Sequence, residues 1–191
     1  LTIAQIEGRA PQDAAAVLRE NWFAQRDADD GCTHAAGELF SAKALPAIDV
    51  WRRARLAIEA NRVRAARDAV AIVATDVLPQ VTQLNDAPTK FLRAHSTAPG
   101  RERKELMVLA LIKLAQTDAR AAADLLSQRW TGYLSQAQRD WAWASIGSQA
   151  AQKLSDEALG YFAKAKPADL PDAHLIWYAR AALRQGDWTR V

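Results

Sequence analysis

Cys32-Thr33-His34 is where two potential metal ligands come close together in this 191-residue sequence. A zinc site needs about four such ligands. The other histidines, His95 and His174, lie far along the chain, and there is no second cysteine. No zinc set is therefore expected. Asp27, Asp29 and Glu38 flank the same stretch and loosely resemble a calcium loop, but Cys32 stands where such a loop needs its glycine. A solvated turn is the expectation there. Serine, histidine and aspartate all occur without a nucleophile elbow. Glu157, next to Asp156, reads as negative charge in the first turn of a helix. No catalytic residue, metal or cofactor is predicted for this chain.

Seven tryptophans raise a different chemistry, because an indole can pack against the CH face of a sugar ring. Trp22, Trp51, Trp141 and Trp177 fall on apolar stripes and are predicted to be knobs between helices. Trp130 and Trp143 are less clearly inward, and are the candidates for contacting a carbohydrate. Arg52, Arg53, Arg62, Arg64 and Arg67 form a basic cluster nearby in sequence. Yet 25 basic and 22 acidic residues are interspersed along the chain, so a mixed, solvated surface is expected rather than a nucleic-acid site. A single cysteine cannot close a disulfide within the chain. No stretch approaches the roughly 20 apolar residues of a membrane span. No signal peptide is visible, but Leu1 is not an initiator methionine, so compartment is not readable from that end.

The elements that would position these residues are helices. Alanine is abundant while Gly (8) and Pro (7) are scarce, and alanine is the best helix former. Apolar residues recur at helical spacing over 13–25, 34–42, 46–60, 63–74, 101–116, 119–130, 135–154, 156–165 and from Leu170 onward. Arg26 to Gly31 reads as a turn. Pro79, Pro88 and Pro99 cut 75–100 into short pieces. About eleven helices with short connections are expected, neighbours running antiparallel. No segment alternates with period two, so no strand is predicted.

LPAIDVWRRARLAIEANRVRA, from Leu45, and LPDAHLIWYARAALRQGDWTRV, from Leu170, share one pattern. Both open with Leu-Pro and reach Ala-Arg nine residues later, and Ala57-Ile58 then matches Ala182-Leu183. Weaker copies occur at Leu109–Leu126 and at Trp141–Ala165, the latter like a tetratricopeptide pair. Units of this kind bury their apolar stripe only against neighbours, which predicts an all-α, right-handed superhelix (a solenoid) of stacked antiparallel helix pairs.

Cys32 to Arg67 resembles the α-superhelical region of the soluble lytic murein transglycosylases, through Cys32, Leu39-Phe40 and Arg55-Leu56-Ala57-Ile58 ahead of an alanine-rich return helix. Trp177 to Trp188, WYARAALRQGDW, is similar to the segment that precedes that family's linker and catalytic domains. The resemblance implies that 1–191 is a superhelical scaffold of a longer protein, with helical subregions of about 1–99 and 100–191. It implies a parent enzyme that cleaves the MurNAc–GlcNAc bond of peptidoglycan to 1,6-anhydro-muropeptides. That reaction uses one glutamate, first as acid and then as base. Its Glu-Ser helix start is absent here, so the chain alone is expected to do no chemistry. The implied partners are peptidoglycan glycan strands, the parent's own C-terminal catalytic domain and other cell-wall proteins. The implied location is the periplasm of a Gram-negative bacterium, free or at the outer membrane. In such a compartment Cys32 is open to two readings: a buried thiol, or half of a disulfide to a residue outside the chain. The arginine cluster would suit anionic stem peptides or solvent alike. The alternative is a stand-alone tetratricopeptide-like module that binds a protein in its groove.

Overall fold

The computed structural model describes residues 11–95 and 97–188. Among these there are eleven α-helices and no strand, so the fold is all-α. The chain forms two compact units, Leu1–Asn85 and Asp86–Val191.

In the first unit, α1 (Pro11–Ala24) packs on α2 (Asp30–Ser41) and on α3 (Ala47–Glu59). The helix α4 (Val63–Val73) then runs back along α3 and also meets α2. A 3-10 turn leads into α5 (Leu78–Asp86). Alanines make close approach possible: Ala54 and Ala57 on α3, and Ala66 and Ala69 on α4, have no exposed surface. Trp22 on α1 and Trp51 and Ile58 on α3 are almost completely covered in the same unit.

The second unit is built around α9 (Gln136–Gln152), which packs on α7 (Gly100–Thr117), α8 (Ala119–Leu125), α10 (Ala158–Phe162) and α11 (Asp172–Gln185). The short α6 (Pro88–Ala94) lies against α7. A helix covered on all sides cannot keep a polar face. Accordingly every residue from Gln138 to Ser148 except Arg139 is buried. Gly147 is required here by space, since a Cβ would stand 2.9 Å from the Phe162 ring.

Three helix boundaries differ from the hydrophobic periodicity, each for a local reason. First, α2 starts at Asp30 rather than near His34, because the Asp29 carboxylate accepts the Cys32 N–H at 2.6 Å and caps it. Second, the segment expected as one helix over 119–130 changes at Leu126 to a π turn that ends at Trp130. Its last carbonyl bond is the i+5 kind, with the Thr131 N–H reaching the Leu126 oxygen at 2.9 Å. Third, α10 begins only at Ala158 and stops at Phe162, with no side-chain cap.

The sequence repeat has a structural counterpart. Pro46 and Pro171 are each the N-cap of their helix, and each offers its carbonyl to the N–H three residues on, at 3.0 and 2.9 Å. At the far ends Asn61 and Gly186 are both left-handed, with φ of 58° and 73°. Arg62 N–H then bonds to Ala57 and Asp187 N–H to Ala182, both closing the same helix-ending turn. Helices α2 and α9 end in this way too, on Lys43 and Leu154.

Candidate functional site

The residues singled out by type do not converge on a reaction centre. His34 is exposed on α2, while His95 Nδ1 lies 2.8 Å from the Phe91 carbonyl oxygen. His174 is buried with its ring edge-on to Trp141 at 5.6 Å. Asp27 is ion-paired to Arg62, Asp29 caps α2 and Glu38 is exposed. Among the described residues no group of three His, Cys, Asp or Glu side chains could hold a metal ion.

Cys32 lies under α1 at 1% exposure, where Gln25 Nε2 donates to its sulfur at 3.3 Å. Burial pushes its thiol pKa up, against the pull of that hydrogen bond. Beside it Arg53, 2% exposed, donates from Nη1 to the Gln25 carbonyl at 2.5 Å and from Nη2 to the Asp27 carbonyl at 2.9 Å. Burial pulls the guanidinium pKa below its ordinary value, opposed by Cys32 and Asp27. This arginine ties the α1–α2 connection to α3. A buried arginine was not legible from sequence, where it read as part of a basic rim. Of that cluster, Arg52 stacks over Phe23 at 5.3 Å, Arg64 pairs with Asp30 at 3.2 Å, and Arg67 is exposed.

The two candidate tryptophans are placed inside the second unit. Trp130 has no exposed surface, with Tyr133 tilted against it at 5.8 Å and Arg129 over its ring at 5.7 Å. Trp143, 5% exposed, stacks with Tyr161 at 6.1 Å and lies beneath Lys164 Nζ at 4.2 Å. Neither indole offers a bare face to a sugar, since Trp130 is fully covered and Trp143 nearly so. The exposed neighbours are Tyr133, at 39%, and Lys164.

Around Trp143 the polar groups are linked. Tyr161 Oη donates to the Glu157 carboxylate at 2.9 Å, and Arg120 on α8 pairs with the same carboxylate at 2.5 Å. The Tyr161 phenol is pushed up to about 12, by burial first and then by that hydrogen bond. A folded-state pKa above the unfolded value of about 10 favours the fold while the phenol stays protonated. The contribution is complete below about pH 10 and is lost as pH rises toward about 12. Thermal melts are expected to show a steeper loss of Tm across that window in the native chain than in Tyr161→Phe. Parallel curves would refute the link.

A second network holds the entry to α9. Ser135 and Gln138 form a reciprocal capping box, and Gln138 Nε2 reaches buried Glu105 on α7 at 2.9 Å. Asp140, 3% exposed, accepts from the Lys166 N–H at 3.1 Å and fixes the chain ahead of α11. These carboxylates, both buried, tie α9 to α7 and to the chain ahead of α11.

A solved structure of the lytic transglycosylase Slt from Pseudomonas aeruginosa, an inactive mutant, superposes on 93% of this chain with a TM-score of 0.62 at 20% identity. The fold is similar to that of a lytic transglycosylase. The match takes in 30% of that protein's length. No protein-family model and no curated protein sequence matches the chain. The similarity therefore lies in the helical architecture. Within that architecture the described residues hold buried ties such as Arg53 and Asp140, and no helix long and apolar enough to cross a membrane.

Proposed function

We propose that this chain is a helical scaffold, distantly related to the superhelical part of lytic transglycosylases, in a parent protein that cleaves peptidoglycan glycan strands to 1,6-anhydro-muropeptides. The observation that carries this reading is the fold likeness to Slt over nearly the whole chain. The internal repeat of α3 and α11 supports it, since helix pairs of one design stack naturally into a superhelix. In this role the chain positions glycan strands and leaves the acid–base step to a catalytic domain elsewhere in the parent. The setting is the periplasm. Substrate contact falls to exposed groups of the second unit such as Tyr133 and Lys164 rather than to the indoles of Trp130 and Trp143. A sugar face would stack on the Tyr133 ring while cations meet stem-peptide carboxylates.

Co-sedimentation with purified sacculi tests this. The chain is expected to pellet with sacculi in a salt-sensitive manner, to release no anhydro-muropeptides, and to pellet less as Tyr133→Ala. A chain that stays in the supernatant at low salt, while retaining a discrete protein in pull-downs, would favour the tetratricopeptide-like module instead.

A further inference from the structure

Helix α4 buries Ala65, Ala66, Ala69 and Val70 and turns Arg64 and Arg67 to solvent. Val63, Arg67 and Ala71 recur four residues apart, so they stand above one another along the helix. With Arg64, Asp68 and Leu78 of α5 they line a groove of about 320 Å³, where the chain turns through Thr75–Val77 into α5. That volume lies at the lower end of small-ligand sites and suits a ligand the size of a dipeptide.

The floor of the groove is aliphatic, since Val63, Ala71 and Leu78 are each only half-buried. Its charges are unevenly matched. Arg62, just ahead of the helix, is paired with Asp27. Arg64 reaches Asp30 at 3.2 Å and Asp68 at 3.8 Å, so the acid inside the groove is already answered. Arg67 makes no ion pair or hydrogen bond among the described residues. One guanidinium is therefore left over beside an aliphatic floor. A guanidinium takes a carboxylate in a fork of two parallel hydrogen bonds. The complement of the groove is a carboxylate with a small aliphatic side chain next to it. A bare phosphate would answer the charge but leave the floor uncovered.

We propose that this groove binds the free C-terminal carboxylate of a short peptide with alanine-sized side chains. The carboxylate lies on Arg67, and the last side chain lies on Val63, Ala71 and Leu78. The source is a cell-wall stem peptide, and for that source the proposal rests on the peptidoglycan reading. The contact involves residues of the first unit only, whereas Tyr133 and Lys164 belong to the second.

Titration of the chain with N-acetyl-D-alanyl-D-alanine, followed by NMR, tests this. Shifts are expected at Val63, Ala71 and Leu78, with a Kd of about 1 mM or below. The C-terminal amide of the same dipeptide should bind at least about tenfold more weakly, and Arg67→Gln should weaken binding of the free acid as much. Arg103→Gln, the same charge change at an exposed position of α7, should leave it unchanged. Equal binding of acid and amide would overturn the proposal, and so would equal loss in the two variants. A preference for N-acetyl-L-alanyl-L-alanine would also overturn it, by assigning the groove to a protein C-terminus. A chain that pellets with sacculi while taking up no dipeptide loses this proposal and keeps the glycan reading. One that takes up the dipeptide but stays in the supernatant keeps the groove and loses the glycan contact.

Discussion

Trp130→Ala is expected to destabilise the 86–191 unit by about 4 kcal/mol, and Trp130→Phe by no more than about 1 kcal/mol. The ring is fully covered at the end of the π turn, so truncation removes a large apolar volume and leaves a cavity. The indole also carries a cost. Its Nε1 is buried and has no hydrogen-bond partner among the described residues. An orphaned donor of this kind costs roughly 1–3 kcal/mol. Phenylalanine discards that donor while keeping most of the packing, so the two penalties partly cancel. Urea denaturation of both variants measures the difference. Equal losses would mean that the N–H has a partner in solution, and a native-like Trp130→Ala would mean that the indole is not part of the core.

Arg53→Met is expected to cost about 3 kcal/mol, whereas Arg52→Met next to it should cost no more than about 0.5 kcal/mol. Methionine follows much of the arginine stem, so the larger loss reports the hydrogen bonds rather than the volume. Without the guanidinium, the carbonyls of Gln25 and Asp27 lose their donors at a covered site. The connection that delivers Asp29 to its capping position loses its tie to α3, and Cys32 is uncovered as a result. A readout specific to this role is the reactivity of Cys32, which should rise in Arg53→Met and stay low in Arg52→Met. If Arg53→Met is as stable as the native chain, the tie contributes nothing.

How far the sequence reached varies with the range of the interaction. The helices around Trp51 and Leu109 were legible because a buried stripe imprints its period on the residues themselves. The α3–α11 repeat was legible for the same reason, down to the proline that opens each helix and the polar turn that closes it. The start of α2 was not. It is set by one carboxylate bonding one N–H, a signal that periodicity does not carry. The π turn at Leu126 was invisible too, because its residues are those of an ordinary helix.

The candidate site followed the same rule. The apolar stripes left Trp130 and Trp143 less clearly inward than the other tryptophans, but burial depends on which helices arrive from elsewhere in the chain. Trp143 is covered by Tyr161 and Lys164, some twenty residues away. Arg53 was read with the surface because arginine is seldom buried; its two carbonyl partners lie on a connection remote in sequence. Composition and periodicity determined that this protein is made of alanine-rich helices in repeated pairs. Only the tertiary structure decided which arginine, which tryptophans and which carboxylates are sealed between them. Local preferences are written residue by residue, whereas burial belongs to pairs of surfaces that only the folded chain brings together.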